Sequence, residues 1–234
     1  MYMIRFIIIS IIFFTSFLSS ETNLIILGSG TPNPDPERYG SGYAVVVNDE
    51  AYIVDFGPGI VRRISAMSPT WGGEFPSMEL ENINTAFLTH IHSDHSGALA
   101  DLILTPWIMG RDEPLDLYGP EGLKAMSENI TEAYIDDINY RLYGSQPANE
   151  LGFTTNVTEI SDDGTIFKDN NIEVIAFKNA HGDFKNSFGF LFITEDKRIL
   201  FSGDTAVSSN LMKYGKNLDI LVHEVFSSET FVNK

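Results

Sequence analysis

Apolar positions along the chain fall into short runs closed by Gly, Asn or Asp, which marks strands rather than long helices. LIILG at 24–28, YAVVVN at 43–48, YIVDFG at 52–57, INTAFLTH at 83–90 and LDLYG at 115–119 make a first series. FTTNVTEI at 153–160, IEVIAF at 172–177, FGFLFIT at 188–194, RILFSG at 198–203 and DILVHEV at 219–225 make a second. Glu195-Asp196-Lys197 predicts a hairpin turn between two of these. Three stretches read as helices. Residues 98–105 are apolar and closed by Pro106. Across 122–143, Leu123, Met126, Ile130, Tyr134, Ile138 and Leu142 recur at three- and four-residue spacing, which predicts one amphipathic helix stopped by Gly144. A third helix spans about 206–214. YIVDF and DILVHEV are apolar on both faces, so the expected body is α/β or layered α+β, with sheets covered on both sides. The Pro-rich TPNPDP at 31–36 reads as a surface loop.

The first twenty residues stand apart: Arg5, an apolar run to about Leu18, then Ser19 and Ser20. That order is expected of a secretory signal peptide, with an uncleaved membrane anchor as the alternative. Residues 21–234 then form one exported domain, periplasmic or secreted, with no stable membrane association once the segment is cleaved. The net charge of −17, or −18 without Arg5, argues against nucleic acid as a partner, since 15 Lys and Arg leave little material for a basic face. The absence of cysteine excludes disulfides and thiolate metal sites. A homodimer is compatible with all of this.

Chemistry concentrates in FLTHIHSDHSG at 87–97. His90, His92, Asp94 and His95 fall within six positions, and three of the chain's five histidines are here. His90 and His92 are two apart at the end of an extended run, so both side chains leave on one side. Asp94 and His95 follow in the turn before a helix and can address a second ion. Imidazole with carboxylate suits zinc, iron or manganese. His181, Asp204 and His223 each stand at or near the end of another predicted strand, where layered α/β proteins gather ligands. Taken singly, they also read as a loop histidine, a turn or cap residue and a core histidine.

THIHSDHSG, with YIVDFGPG upstream and SGDT downstream, resembles the metallo-β-lactamase superfamily. LGSGTPNP and LVHEV narrow the likeness to the branch of tRNase Z enzymes, cyclic phosphodiesterases and zinc-dependent arylsulfatases. The resemblance covers about residues 24–226 and implies an αββα sandwich with two zinc ions at one edge. It implies that His90, His92 and His181 hold the first ion, that Asp94 and His95 hold the second, and that Asp204 bridges. It further implies that Asp55 supports the site from behind, and that His223, paired with Glu224, assists the leaving group. The family's last ligand is a histidine some tens of residues beyond the His-Glu strand, and no histidine follows His223 here. The expectation is therefore a C-terminally truncated chain with an incomplete last layer and a weakened second metal site.

The expected activity is metal-dependent hydrolysis. A shared hydroxide, formed as the metal pair lowers the pKa of water from ~15.7 towards ~7, would attack the substrate. Asp94 would orient it and His223 would protonate the departing oxygen. The expected substrate is a small anionic ester, either a sulfate ester or a phosphodiester. Alternatives are a tRNase Z-like endoribonuclease, a lactone or amide hydrolase, and an inactive relic holding at most one metal.

Overall fold

The computed structural model describes residues 21–225, so the expected export segment lies outside the described residues. Strands Thr22–Gly28 (β1), Gly42–Val47 (β2), Glu50–Val54 (β3), Thr85–Phe87 (β4), Leu115–Pro120 (β5) and Thr155–Ile160 (β6) form one sheet in that order. Gly164–Lys168 (β7), Glu173–Lys178 (β8), Phe188–Ile193 (β9), Arg198–Phe201 (β10) and Ile220–Val222 (β11) form a second, ordered β11-β10-β9-β8-β7. The helices are Ile60–Ala66 (α1), Ser93–Ser96 (α2), Leu99–Met109 (α3), Leu123–Ala133 (α4), Ile135–Tyr143 (α5) and Ser209–Tyr214 (α6). Strands β3 to β6 pair in parallel, each joined to the next through helix.

Period-two alternation builds the layers. Ala51 and Ile53 of β3 pack with Ile60, Ile64, Leu99, Ile103 and Leu123 from the helices. Tyr52 and Val54 point the other way, into a core with Val174, Phe190, Phe192 and Phe201 of the second sheet. On β9 and β10, Leu191 and Leu200 turn outward with Phe177, against Leu211 and Tyr214 of α6. Helix, sheet, sheet, helix is the expected αββα order. The strand β7 escaped the sequence reading because its residues are only half buried and a bulge interrupts its pairing with β8. On β11, Leu221 is 51 % exposed.

Two helix expectations are corrected. The stripe predicted over 122–143 belongs to two helices broken at Tyr134. At 3.6 residues per turn each four-residue step drifts by about 40°. In a straight helix, Ile138 and Leu142 would rotate off the face set by Leu123. The break brings Ile138 back to burial and leaves Tyr134 45 % exposed. The other correction concerns Pro106, which lies inside α3 rather than closing it. Proline removes the N–H that would bond the Leu102 carbonyl. The buried Arg111 replaces it: Nη1 donates to Leu102 O at 3.2 Å and to Ile83 O at 3.1 Å. Its Nη2 donates to Ile103 O and Gly152 O, each at 2.7 Å. Burial lowers this guanidinium to about 10, and backbone carbonyls alone solvate it.

Arg111→Met leaves several buried carbonyls without their donor. We expect a loss of about 3 kcal/mol of stability, at ~1–3 kcal/mol per unsatisfied group with partial relaxation. It would be read as a lowered urea midpoint at unchanged m-value.

Candidate metal centre

The site stands where strands end. Asp55 follows β3, the 90–95 segment follows β4, His181 follows β8, Asp204 follows β10 and His223 follows β11. β4 stops at Phe87, earlier than the apolar run suggests, which frees Thr89 and His90 from the sheet. His92 then caps the short helix α2 in extended conformation, so Asp94 and His95 ride on its first turn.

Donor atoms of His90, His92, His181 and Asp204 all lie within 4.8 Å of one another. His92 Nδ1 is 3.1 Å from His90 Nε2 and 3.2 Å from His181 Nε2. Asp204 faces two ways. Its Oδ2 lies 3.9 Å from His90 Nε2 and 4.0 Å from His181 Nε2, whereas Oδ1 lies 3.3 Å from His95 Nε2. Asp94 Oδ2 is 3.7 Å from the same His95 nitrogen. All six residues singled out as ligands are thus brought together. The first group offers three imidazoles and a carboxylate, a donor set that fits zinc or a similar divalent ion.

Behind the donors is a buried support. Asp55 is 1 % exposed and adopts φ 57, a left-handed conformation uncommon for a residue with a side chain. Its Oδ1 accepts from Thr89 N at 2.8 Å and from Thr89 Oγ1 at 3.0 Å, and its Oδ2 meets His95 Nδ1 at 2.7 Å. Thr89 Oγ1 also reaches His90 Nδ1 at 3.0 Å. Asp55 therefore has the supporting position the resemblance implied. Thr89, the hub, was missed, although it heads the THIHSDH motif. Backbone bonds lock the loops: Ser41 N donates to Asp94 O at 2.9 Å and Phe56 N to His95 O at 2.7 Å. A Cβ on Gly57 would sit 2.0 Å from Asp94 O, so only glycine lets these two loops approach.

The electrostatics of the two rings oppose each other. For His95 burial acts downward, but the charges and hydrogen bonds of Asp55 and Asp204 outweigh it and raise the imidazole to about 10. His90 is lowered to about 3 by burial and by the neighbouring positive His95. Asp204 lies below its usual range: burial opposes this, but contact with His95, His90 and His181 prevails.

Beside the cluster opens a cleft of about 320 Å³, lined by Asp94, His95 and Asp204, by Ser41 and Tyr43, and by His223 and Glu224. His223 Nδ1 is held by Ser202 Oγ at 2.7 Å, and Glu224 accepts from Thr205 N at 2.9 Å. All five histidines of the chain therefore meet at one sheet edge. Arg38 is the single Lys or Arg lining this cleft among the described residues. It follows closely on the Pro-rich 31–36 segment, which the sequence marked only as a surface loop.

This two-sheet sandwich with its donors at the strand ends is the metallo-β-lactamase fold. The family model described as Anti-Pycsar protein Apyc1 matches residues 22–232, and the chain belongs to that family. Ribonuclease Z of Mycobacterium bovis is 27 % identical over 213 residues, covering 88 % of this chain and 71 % of that protein. Ribonuclease Z of Mycolicibacterium gilvum is 28 % identical over 207 residues, covering 86 % and 67 %. Among solved structures, the short form of human tRNase Z superposes with a TM-score of 0.71 at 22 % identity, covering 91 % of this chain and 81 % of that one. The Bacillus subtilis metallo-β-lactamase fold protein YhfI gives 0.63 at 14 % identity, covering 87 % and 71 %.

These relatives correct one expectation. The reading of a small ester substrate with nucleic acid disfavoured is overturned, because the relatives that share most of the chain are ribonucleases. The inference failed because net charge sums the whole surface, whereas a strand responds to the local field of the groove it enters.

His95 and His90 give the chelator-treated chain a defined pH response. His95 is raised above its unfolded value of 6.5, so its contribution is full below that pH and is lost as pH rises towards about 10. His90 is depressed, so its contribution is present above 6.5 and is lost as pH falls towards about 3. Asp55→Asn removes one carboxylate that raises His95. Urea titrations from pH 6.5 to 9.5 should show a shallower decline of stability in the variant; equal slopes would disprove the Asp55–His95 coupling.

Proposed function

We propose that this chain is a zinc-dependent phosphodiesterase acting on nucleotide phosphodiester bonds, the linkage of RNA. One observation carries the reading: a single carboxylate, Asp204, presents its two oxygens to two donor sets on the floor of an open cleft. The ribonuclease relatives support the linkage.

In this reading His90, His92 and His181 would hold one ion, Asp94 and His95 would hold another, and Asp204 would stand between the two groups. The bound ions supply a water nucleophile near neutral pH and neutralise phosphoryl charge. Asp94, 7 % exposed and beside His95, is placed where it would orient a water and accept its proton. His223 has Nδ1 engaged by Ser202, which leaves Nε2 to protonate the departing oxygen. Arg38 draws the substrate's negative charge to the mouth of a protein that is otherwise acidic. Asp55 and Thr89 fix the rings that must not turn.

The test is a substrate panel with zinc added: a short RNA, a cyclic mononucleotide, an aryl phosphodiester, an aryl sulfate and a lactone. Phosphodiester cleavage well above the last two is expected; sulfate or lactone hydrolysis without phosphodiesterase activity would reject the reading. His92→Ala should lower kcat by about 100-fold or more, a larger effect than the ~10–100-fold typical of changes behind the ligands. Arg38→Ala should raise KM with kcat nearly kept. Metal analysis near zero per chain would remove the mechanism altogether.

A further inference from the structure

The rings of the first donor group are not held alike. His90 is buried, and its Nδ1 reaches Thr89 Oγ1 and through it Asp55. His95 meets Asp55 directly. Ligating histidines ordinarily have this arrangement, with the second ring nitrogen fixed by an oxygen acceptor. His92 and His181 lack it. Among the described residues their rings hydrogen-bond only within the donor group, at 3.1 Å between His90 and His92 and 3.2 Å between His92 and His181. His92 is exposed, and the His181 side chain is 25 % exposed. Two ligands of the same group therefore face solvent without an outer hydrogen bond to hold them.

They have an aromatic ring instead. The Phe184 centroid lies 4.6 Å from that of His92 at 53°, 6.0 Å from that of His181 at 58°, and 5.9 Å from that of His90 at 74°. These tilted, edge-to-face arrangements lie within the range in which aromatic pairs attract beyond simple burial. The local chain delivers the ring there. Phe184 N donates to His181 O at 2.9 Å, and Gly182, at φ 54, supplies the left-handed conformation the four-residue turn needs. The two residues also pair as an isolated antiparallel bridge. Phe184 belongs to none of the hydrophobic cores and is only half buried, so core packing does not account for its place.

We propose that Phe184 is a positioning residue for the metal centre: it does by packing, for His92 and His181, what Thr89 and Asp55 do by hydrogen bonds for His90 and His95. The proposal rests on the metal reading above. Without the ring, the exposed His92 imidazole and the half-buried His181 imidazole can rotate about χ1 and χ2, and the ion must order them as it binds. Loss of Phe184 therefore weakens affinity and loosens coordination without unfolding the protein.

The experiment is cobalt(II) binding to the full chain, followed by visible absorption and by competition with a chelator, on wild type, Phe184→Ala, Phe184→Leu and Phe184→Tyr. Wild type should give a defined visible d–d spectrum that saturates with added cobalt. The alanine variant should bind about 10- to 100-fold more weakly, with a weaker and broader band. The tyrosine variant should recover both, and the leucine variant should lie between. The urea midpoint of chelator-treated Phe184→Ala should match that of chelator-treated wild type. Wild-type affinity and spectrum in the alanine variant would overturn the proposal. If the alanine variant does not fold, wild-type affinity and spectrum in the leucine variant would overturn it equally. A wild-type chain that takes up no cobalt would sink the metal reading and this proposal with it, a failure visible before any variant is made.

Discussion

The whole arrangement hangs on a buried carboxylate, Asp55, held in a left-handed backbone conformation at the end of a central strand. An ionised group so far from water must be paired or neutralised. Asp55 is paired by the Thr89 amide, the Thr89 hydroxyl and the His95 ring, with the Ser41 hydroxyl more distant at 3.5 Å. The three nearer partners lie on the segment that carries the histidine cluster. The same bonds that satisfy the carboxylate therefore set the direction of the donors. A more relaxed backbone at Asp55 would re-aim its oxygens, and the strain of the conformation is offset by the network it serves.

The αββα architecture explains why such a network can exist. β3 and β4 are adjacent, parallel and buried on both faces, so the loops after them emerge side by side at one edge. The second sheet brings the loops after β8, β10 and β11 to the same edge from the other side. The aromatic core of Phe87, Phe190, Phe192 and Phe201 sits directly beneath, and it sets the separation of the two sheets. Packing of this kind is stiff. The loops inherit that stiffness through backbone bonds such as Ser41 to Asp94 and Phe188 to Thr89.

Two kinds of support meet at the centre. Buried rings are steered by hydrogen bonds to a charged partner, which are directional and strong away from water. Exposed rings are steered by contact with Phe184, which tolerates solvent because dispersion and ring edges do not compete with water for protons. The division follows the burial gradient from His90, fully enclosed, to His92 at the surface. The acidic character of the chain fits beside this without conflict, because the cleft presents Arg38 as well as carboxylates.

Much of this could be read from the sequence. His90, His92, Asp94 and His95 are local, and their spacing alone fixes that they converge. Strand runs of period two placed most of the sheet, and the resemblance carried by SGDT and LVHEV marked Asp204 and His223. The sequence by itself thereby determined the local His90–His95 cluster and most of the strands, because those follow from short-range geometry and apolar patterning, while His181 and Asp204 entered as ligands through the resemblance. Only the tertiary structure decided the rest. The contact of His181 with His92 spans 89 positions and that of His95 with Asp55 spans 40, and no periodicity reports contacts at such separations. Pro106 stays inside its helix because Arg111 reaches back to Leu102, and Phe184 leans on three imidazoles because a turn folds it there. In each case a side chain found its role from neighbours that the fold, and not the order of residues, put within reach.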